Sequence, residues 1–442
     1  MSASKGQQSI AAKRISKTIS LHENFSLQNI LRLFSEQDPL IVLNSNNTKQ
    51  QQTDPYGSYD LLIAAGSIET TKAKQSSFDA LQTLHEKGDW IFGFLTYDVK
   101  NEIEKLYSDN FDGLHVEKYF FYVPRFVLTQ QANKITIYYH TSETNESFIQ
   151  TLIAGITKDI PFPEAGEKQI LKARISKKEY LENINRLKRH IKRGDIYEIN
   201  FCMEFYSEKA FIDPLAVYLK LNAISPMPFS AYLKHSEQYL MCASPERFLA
   251  KRGRKIISQP IKGTIKRGAN ESEDNFRKNQ LRNDPKEQAE NVMIVDLVRN
   301  DLSRTAEKGS VKVEELFEVK TFQMLHQLES TVTSELRSDL HFLEALRKSF
   351  PMGSMTGAPK IRSMELIEDY ESTRRGLYSG TIGYITPEGD FDFNVIIRSI
   401  IYNSEKGYLS FMVGSAITDS ADPEKEYEEC LLKAEAMKKV LE

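Results

Sequence analysis

The stretch GLYSGTIGYITPEGDFDFNVIIRSIIYNSEKGYLSFMVGSAI, residues 376–417, decides the fold class. It contains three runs rich in β-branched and aromatic residues, separated by the turns PEGD and SEKG. Successive strands joined by such short turns pair in antiparallel fashion. The helical segments elsewhere in the chain do not alternate strictly with strands, as they would around a parallel sheet. We therefore predict an α+β fold.

Length, charge and cysteine content predict an ordinary cytoplasmic enzyme. A chain of 442 residues is longer than most single hydrophobic cores, and 27% of it is charged. The net charge of -3 gives no electrostatic reason for nucleic acid or an anionic membrane as the main partner. The three cysteines are far apart and match no zinc spacing, which predicts reduced, mostly buried thiols. The amino terminus lacks the apolar core of a signal peptide, and no run is long enough to span a membrane.

The chain divides into three predicted regions. Residues 1–22 are polar and basic and are expected to form a flexible lead-in. Residues 23–165 form an N-terminal region of mixed strands and helices, and residues 166–442 form a more regular second region. The Pro- and Gly-bearing stretch TKDIPFPEAGEKQ, residues 157–169, is typical of a link between subdomains.

Two predicted helices begin with an Asp-Pro pair, in NDPKEQAENV and ADPEKEYEECLLK. Each carries two glutamates on one face, Glu287 with Glu290 and Glu426 with Glu429, and Lys433 follows one turn later. Four carboxylates without His or Cys would suit Mg²⁺, which prefers oxygen ligands and bridges to anionic substrates. The alternative is that acids occur here because the helix dipole favours them at a helix start. Spacing does not decide between the two.

Lys262 lies in SQPIKGTIKRG, residues 258–268, between residues that restrict the backbone. Pro260 and Gly263 predict a strand end where the chain turns. Partial burial there would favour the neutral amine, which is the form that acts as a nucleophile. A solvated surface lysine is the alternative.

Two further charged residues fall within predicted strands. Arg398 shares one face of the strand FDFNVIIRSIIY with Asn394 and Ile396, where its planar fork could pair with a carboxylate. Glu246 follows Pro245 at a strand end and would serve as a general acid if burial raised its pKa. The alternatives are an edge-strand arginine in solvent and a surface glutamate beside its neighbouring arginine.

Nine motifs occur in a fixed order: GDIYEINF, SPERF, PIKGT, AENVMIVDLVRNDLSR, GSMTGAPK, GLYSGTIGY, IIRS, GSAIT and DPEKEYEECLLKAEAM. Taken together, they resemble the chorismate-using family that includes the large subunits of anthranilate synthase and 4-amino-4-deoxychorismate synthase. The resemblance covers residues 170–440 strongly and the earlier part weakly. It implies an α+β sandwich of two large antiparallel sheets with outer helices, and an active site between them.

The resemblance also implies roles for individual residues. Glu290 and Glu429 match ligands of Mg²⁺, with Glu426 nearby, and the cation would hold the ring carboxylate of chorismate. The remaining matches are substrate contacts, namely Gly263, Thr264, Tyr378, Arg398, Gly414 and Lys433, and Glu246, which matches the acid that assists departure of the ring hydroxyl.

Lys262 separates the members of the family. The anthranilate-forming relatives carry alanine there, whereas the aminodeoxychorismate-forming relatives share PIKGT with this chain. In the latter the lysine attacks C2 of chorismate as the C4 hydroxyl leaves, and ammonia then enters at C4 and expels the lysine. The resemblance thus implies synthesis of 4-amino-4-deoxychorismate, a step towards 4-aminobenzoate and folate. No glutaminase motif is evident, so a separate glutamine amidotransferase subunit is the expected partner.

Two other functions stay open at this point. One is anthranilate synthase component I, which makes anthranilate and pyruvate from chorismate. The other is a non-catalytic chorismate-binding regulatory subunit, because two positions depart from the family pattern. Glu198 replaces a common Gln, and Gln327 aligns with the usual His while His326 lies one residue earlier. A strand changes face at each residue, so His326 is not expected to take that place. The sequence VLNS, residues 42–45, replaces a tryptophan-sensing motif, so tryptophan inhibition is not predicted.

Overall fold

The computed structural model describes residues 14–20, 26–46, 54–72, 75–140, 146–155, 168–323 and 325–442. The first 13 residues of the expected lead-in and most of the expected link at 157–169 lie outside this range. Among the described residues, no helix combines the length and apolar composition needed to cross a bilayer.

The described residues form twenty strands. In chain order they are β1 (Arg14–Ser20), β2 (Leu40–Asn44), β3 (Leu61–Thr70), β4 (Ile91–Leu95), β5 (Tyr119–Gln131), β6 (Lys134–His140), β7 (Lys172–Ala173), β8 (Glu198–Ser207), β9 (Phe229–His235), β10 (Gln238–Ser244), β11 (Arg247–Arg252), β12 (Lys255–Gln259), β13 (Ile261–Lys266), β14 (Lys312–Thr321), β15 (Leu325–Glu335), β16 (Gly357–Ala358), β17 (Thr381–Ile385), β18 (Phe391–Asn394), β19 (Ser399–Asn403) and β20 (Tyr408–Ile417).

The α-helices pack against these strands. They are α1 (Leu27–Phe34), α2 (Ser77–His85), α3 (Lys100–Ile103), α4 (Glu146–Gly155), α5 (Lys177–Arg193), α6 (Pro214–Ile224), α7 (Glu271–Arg282), α8 (Pro285–Ser303), α9 (Leu343–Ser349), α10 (Lys360–Tyr370) and α11 (Pro423–Leu441). The strand pairings are antiparallel, so the predicted α+β fold with large antiparallel β-structure is confirmed.

Hydrogen bonding divides the strands into two halves that share β5. One half has the order β6-β5-β3-β2-β9-β10-β19-β20-β8, with β1 on β6 and with β7 and β16 on β8. The other runs β4-β17-β18-β11-β12-β15, with β13 and β14 also on β15. Because β5 pairs with both β3 and β4, the two predicted sheets form one connected network.

Two of the points where the chain passes from one half to the other lie side by side. The first is the link from β10 to β11, which contains Glu246, and the second is residues 395–398, between β18 and β19. The N–H of Val395 donates to the carbonyl of Glu246 at 3.0 Å, and the N–H of Ala243 donates to the carbonyl of Arg398 at 3.2 Å. The prediction of one continuous strand through Arg398 is therefore wrong, because the chain changes sheets there.

The hydrophobic core is shared between the two predicted regions, residues 23–165 and 166–442. β2 pairs with β9 and β4 pairs with β17, so strands from residues 23–165 lie between strands from residues 166–442. The two largest hydrophobic clusters each contain side chains from both regions. Residues 14–20, expected to be flexible, form β1 against β6, which corrects that part of the lead-in. The three cysteines are free and buried, as predicted.

Candidate active site

A cavity of about 420 Å³ lies where β13, α8, α11 and the two sheet-crossing segments meet. Its volume falls in the usual range for small-molecule sites, about 300–1,000 Å³. Every residue singled out from the sequence as a site residue lines it, namely Glu246, Lys262, Gly263, Thr264, Glu290, Tyr378, Arg398, Gly414, Glu426, Glu429 and Lys433. Residues up to 187 positions apart in the chain thus meet in one place.

The Asp-Pro pairs fix the start of both acidic helices. The side chain of Asp284 accepts hydrogen bonds from the N–H groups of Lys286 and Glu287, at 2.9 and 3.1 Å. Asp422 caps α11 through the same pattern, and a proline occupies the first turn of each helix. The caps are therefore supplied by aspartates, while the glutamates that follow turn towards the cavity.

The four glutamates form a crowded acidic wall. Burial raises the pKa of Glu290 to about 7, and it also raises the pKa of Glu287 and of Glu426. Burial acts the same way on Glu429, but Lys433, whose Nζ lies 2.7 Å from its Oε1, lowers that pKa overall. Carboxylates that resist ionisation together form a site that favours a cation.

Lys286 joins the two acidic helices across this wall. Its Nζ lies 3.3 Å from Oε1 of Glu426 on α11 and 3.7 Å from Oε1 of Glu290 on its own helix. Oε1 of Glu290 is buried and makes no hydrogen bond with any described residue. The acidic wall therefore retains an unsatisfied oxygen even with Lys286 in place.

Lys262 lies in the cavity as part of a buried ion pair. Its Nζ is 2.8 Å from Oε1 of Glu198, and the two side chains are only 12% and 2% exposed. Burial lowers the pKa of Lys262, but Glu198, Glu290 and Glu429 outweigh burial and raise it overall. The prediction that burial leaves this amine neutral is wrong, because the surrounding carboxylates stabilise the ammonium.

Glu246 lies at the first sheet crossing and is 4% exposed. Its Oε1 accepts a hydrogen bond of 2.6 Å from Oγ of Ser354, and burial raises its pKa to about 7. Arg247 points away from the cavity and pairs with Asp392, its Nε 2.9 Å from Oδ1. Glu246 is therefore buried in the cavity wall instead of forming a surface pair with its neighbour, and a large fraction of it is protonated near neutral pH.

Arg398 lies at the second crossing with a φ of 50°. Among the described residues, its guanidinium makes no hydrogen bond or ion pair. Burial lowers its pKa to about 10, and Glu246 is the opposing charge that raises it. Arg398 is half-buried and its guanidinium has no partner among the described residues, so it is available to an anionic group and favours a carboxylate ligand in this part of the cavity.

Two glycines are required by the shape of the cavity. Gly263 has a φ of +87°, and a Cβ there would lie 2.8 Å from Oε2 of Glu287. A Cβ on Gly414 would lie 2.5 Å from Sγ of Cys202, and the Gly414 carbonyl accepts a 2.9 Å hydrogen bond from Nζ of Lys433. Both positions keep the backbone open to the cavity.

The cavity also contains residues that were absent from the predicted site. Ser354 donates a hydrogen bond to Glu246. It belongs to the motif GSMTGAPK, but the motif alone did not assign a role to this serine. Gln327 faces the cavity with Nε2 3.4 Å from Oγ1 of Thr264. His326 points to the opposite face, where its ring nitrogens lie 3.0 Å from Thr321 and from Asp274. The strand-alternation argument about His326 is confirmed.

The comparison with known families settles the classification. Residues 35–439 match the family described as chorismate binding enzyme. The chain belongs to this family. Within it, the chain is 31% identical to aminodeoxychorismate synthase component 1 of Bacillus subtilis over 390 residues, covering 84% of this chain and 82% of that protein. It is 34% identical to anthranilate synthase component 1 of Thermus thermophilus over 359 residues, covering 80% and 77%.

Other relatives are longer or match by fold. A probable chloroplastic aminodeoxychorismate synthase of Oryza sativa is 42% identical over 270 residues, which is 60% of this chain and 30% of that protein. The matched part is less than a third of the length of that protein and of the chloroplastic aminodeoxychorismate synthase of Arabidopsis thaliana. Anthranilate synthase component I of Streptococcus pneumoniae shares the fold, with a TM-score of 0.76 and 23% identity, covering 89% of this chain and 95% of that one.

The donor set of this chorismate-binding enzyme fits a hard divalent cation. All four side chains in the acidic wall offer oxygen, and Oε1 of Glu290 is a buried acceptor that receives no hydrogen bond from any described residue. Lys286 supplies positive charge between the two helices. Within the described ranges, no three His, Cys, Asp or Glu side chains are already arranged around one point as in a closed metal site. An open site that also uses substrate and water oxygens is the kind that Mg²⁺ occupies.

Proposed function

We propose that this chain is component I of an aminodeoxychorismate synthase, which converts chorismate and ammonia to 4-amino-4-deoxychorismate. The observation that carries the proposal is the position of Lys262, a buried amine inside the cavity and flanked by carboxylates. The alternative that releases anthranilate and pyruvate has no use for an amine nucleophile at this position. Identity to aminodeoxychorismate synthases of 31–42% supports the same choice.

Two parts of the cavity lining suit the two carboxylates of chorismate. The acidic wall would hold Mg²⁺ through Glu290 and Glu429, with Glu426 beside them, and the bound cation would neutralise the ring carboxylate and withdraw charge from the ring. Elsewhere in the lining, Arg398 offers a guanidinium that pairs with no described residue, and Tyr378 also lines the cavity. We assign the enolpyruvyl carboxylate to Arg398.

The chain's own residues then divide the substitution into two steps. Glu246 donates its proton to the C4 hydroxyl, which leaves as water, while the Lys262 amine forms a bond to C2. Ammonia next attacks C4 and expels the lysine, and the proton released from the new ammonium returns to Glu246. Hydroxide is a poor leaving group, so a carboxyl with a pKa of about 7 is suited to this task at neutral pH.

Product identification tests the proposal. We expect the purified chain, given chorismate, Mg²⁺ and an ammonium salt, to form 4-amino-4-deoxychorismate, detected by mass spectrometry. Anthranilate together with pyruvate would contradict the proposal, and so would binding of chorismate without turnover. We further propose a separate glutamine amidotransferase subunit as the source of ammonia, in agreement with the name component 1 of two relatives. Glutamine alone should therefore not replace the ammonium salt.

Metal dependence gives a second prediction. Removal of divalent cations with EDTA should abolish turnover, and Mg²⁺ should restore it. At a Mg²⁺ concentration 100 times its Kd, binding should stabilise the fold by about 2.7 kcal/mol, seen as a higher Tm. Glu290→Gln should lose this Tm shift because it removes one proposed ligand. The matched control is Glu428→Gln, which changes an exposed residue on the outer side of α11 and should keep the shift. An unchanged Tm shift in Glu290→Gln would contradict the assignment.

A further inference from the structure

Glu198 is held in place at the start of β8. Its backbone pairs with Ala358 of β16, and its carbonyl accepts a hydrogen bond of 3.3 Å from Oγ of Ser363. Oε1 lies 2.8 Å from Nζ of Lys262, whereas Oε2 is buried and has no hydrogen-bond partner among the described residues. The carboxylate of Glu198 contacts Lys262, the proposed nucleophile. Among the described residues, it makes no hydrogen bond or ion pair with any other group that the proposed reaction uses.

We propose that Glu198 is a positioning residue that aims Lys262 at the substrate and accepts the ammonium proton before the amine attacks. The inference rests on the proposed function, because it assumes that Lys262 is the nucleophile. It also gives a role to the carboxylate that stands where glutamine is common in related synthases.

The proton balance of the cycle is complete without an external base. One proton moves from Nζ of Lys262 to the carboxylate of Glu198, which leaves a neutral amine and a neutral acid. The amine lone pair then forms the bond to C2 while the C4–O bond breaks and Glu246 supplies the proton for water. After ammonia has displaced the lysine, Glu198 returns its proton to the released amine, and Glu246 regains its own from the product ammonium.

Burial lowers the cost of this transfer, although the surrounding carboxylates keep the resting amine protonated. Keeping two opposite charges away from water costs free energy, and moving one proton converts both groups to neutral ones. The ion pair with Glu198 also explains how the Lys262 ammonium can lie in the cavity without being an isolated charge. The same contact that stabilises the resting ammonium therefore provides the route by which its proton leaves.

The other charged groups around Lys262 are less suited to accept its proton. These groups are Glu246 from the first crossing, Glu287 and Glu290 from α8, and Glu429 and Lys433 from α11. Glu246 is hydrogen-bonded to Ser354 and must hold its own proton for the leaving hydroxyl. Glu290 and Glu429 are the proposed cation ligands, and none of the glutamates on α8 or α11 forms an ion pair with Lys262 within 4.0 Å among the described residues.

Substitution of Glu198 tests the inference in the full chain with chorismate, Mg²⁺ and ammonium. Glu198→Gln keeps the size and a hydrogen-bond acceptor but binds the proton too weakly. We expect kcat to fall about a hundredfold at pH 7, the low end for loss of proton-transfer catalysis, with little change in the KM for chorismate. The loss should persist from pH 6 to 9, because Glu290 and Glu429 still favour the charged form of Lys262 when Glu198 is replaced. Glu198→Asp should recover part of kcat.

The covalent step provides an independent readout. Mixing enzyme with chorismate and Mg²⁺ without ammonium, followed by acid quench, should give a protein heavier by chorismate less one water. This adduct should form more slowly in Glu198→Gln and should be absent in Lys262→Ala. Equal or faster adduct formation in Glu198→Gln from pH 6 to 9 would overturn the role of Glu198 while leaving the proposed function intact. Full activity of Lys262→Ala would instead overturn the proposed function itself.

Discussion

Lys262→Ala should lose at least about a thousandfold in the rate of aminodeoxychorismate formation, which corresponds to about 4 kcal/mol in the activation barrier. The reason is that the substitution removes the atom that forms the bond to C2, and ammonia would then have to displace the hydroxyl in one difficult step. The rate is measured from product mass under saturating chorismate, Mg²⁺ and ammonium. Chorismate binding should persist, because Arg398 and the acidic wall are unchanged.

Stability must be followed alongside activity in this variant. Removing Lys262 leaves Glu198 buried without its counter-charge, and breaking a buried pair in this way costs about 3–5 kcal/mol. The double variant Lys262→Ala with Glu198→Gln should recover most of that loss in unfolding free energy and stay inactive. Lys312→Ala, an exposed lysine on β14, is the control for loss of a positive charge. Substantial activity in a well-folded double variant would contradict the nucleophile assignment.

Glu246→Gln should reduce turnover at least about a hundredfold, because the hydroxyl would leave without a proton donor. The amide can still accept the hydrogen bond from Ser354, so the geometry of the crossing segment should survive. The fall should appear in kcat more than in KM, since the proton is transferred during bond breaking. The wild-type rate should decline as the pH rises above about 7, where Glu246 loses its proton. The variant should lack this decline.

The same substitution should increase stability, with a defined pH dependence. Burial raises the pKa of Glu246 from its ordinary value of 4.5 to about 7, so the folded state binds more protons than the unfolded state between those values. Wild-type stability therefore falls as the pH rises from 4.5 to 7. A shift of this size corresponds to a penalty on the order of 3 kcal/mol above pH 7. Glu246→Gln removes the penalty, and part of the gain is offset by burying an amide.

Urea denaturation at pH 5 and pH 8 measures this effect. The gain in unfolding free energy should be about 1–3 kcal/mol at pH 8 and close to zero at pH 5. Glu388→Gln, in the turn before β18, is a suitable control because it changes a carboxylate outside the cavity. A variant that is less stable than wild type at both pH values would show that Glu246 is held ionised by contacts that favour its charge.

Local sequence signals located the secondary structure of the site well. The Asp-Pro pairs placed the starts of α8 and α11 correctly, because capping depends on residues within one turn. For a similar reason, the turn PEGD correctly separated β17 from β18, and the turn SEKG separated β19 from β20. The strand through Arg398 could not be read in this way. Its β-branched neighbours favour a continuous strand, and the break arises only because two distant segments cross side by side.

The charge on the Lys262 amine is a second property that the local sequence does not encode. Nothing near position 262 in the sequence indicates that Glu198, 64 residues earlier, meets its amine, so burial alone suggested a neutral group. Likewise, no local pattern encodes the contact of Ser354 with Glu246 or the contact of Gln327 with Thr264. The charge on each group depends on these long-range neighbours.

By itself, the sequence determined the α+β class and the order of the motifs, because these follow from residue type and short-range spacing, whereas the candidate site residues came from the family resemblance that those motifs carry. The tertiary structure alone decided that those side chains share one cavity, that the chain changes sheets at Glu246 and Arg398, and that Lys262 is stored as an ammonium beside Glu198. The physical reason is that desolvation and charge pairing act over distances in space, and the distances between residues remote in the chain exist only after folding.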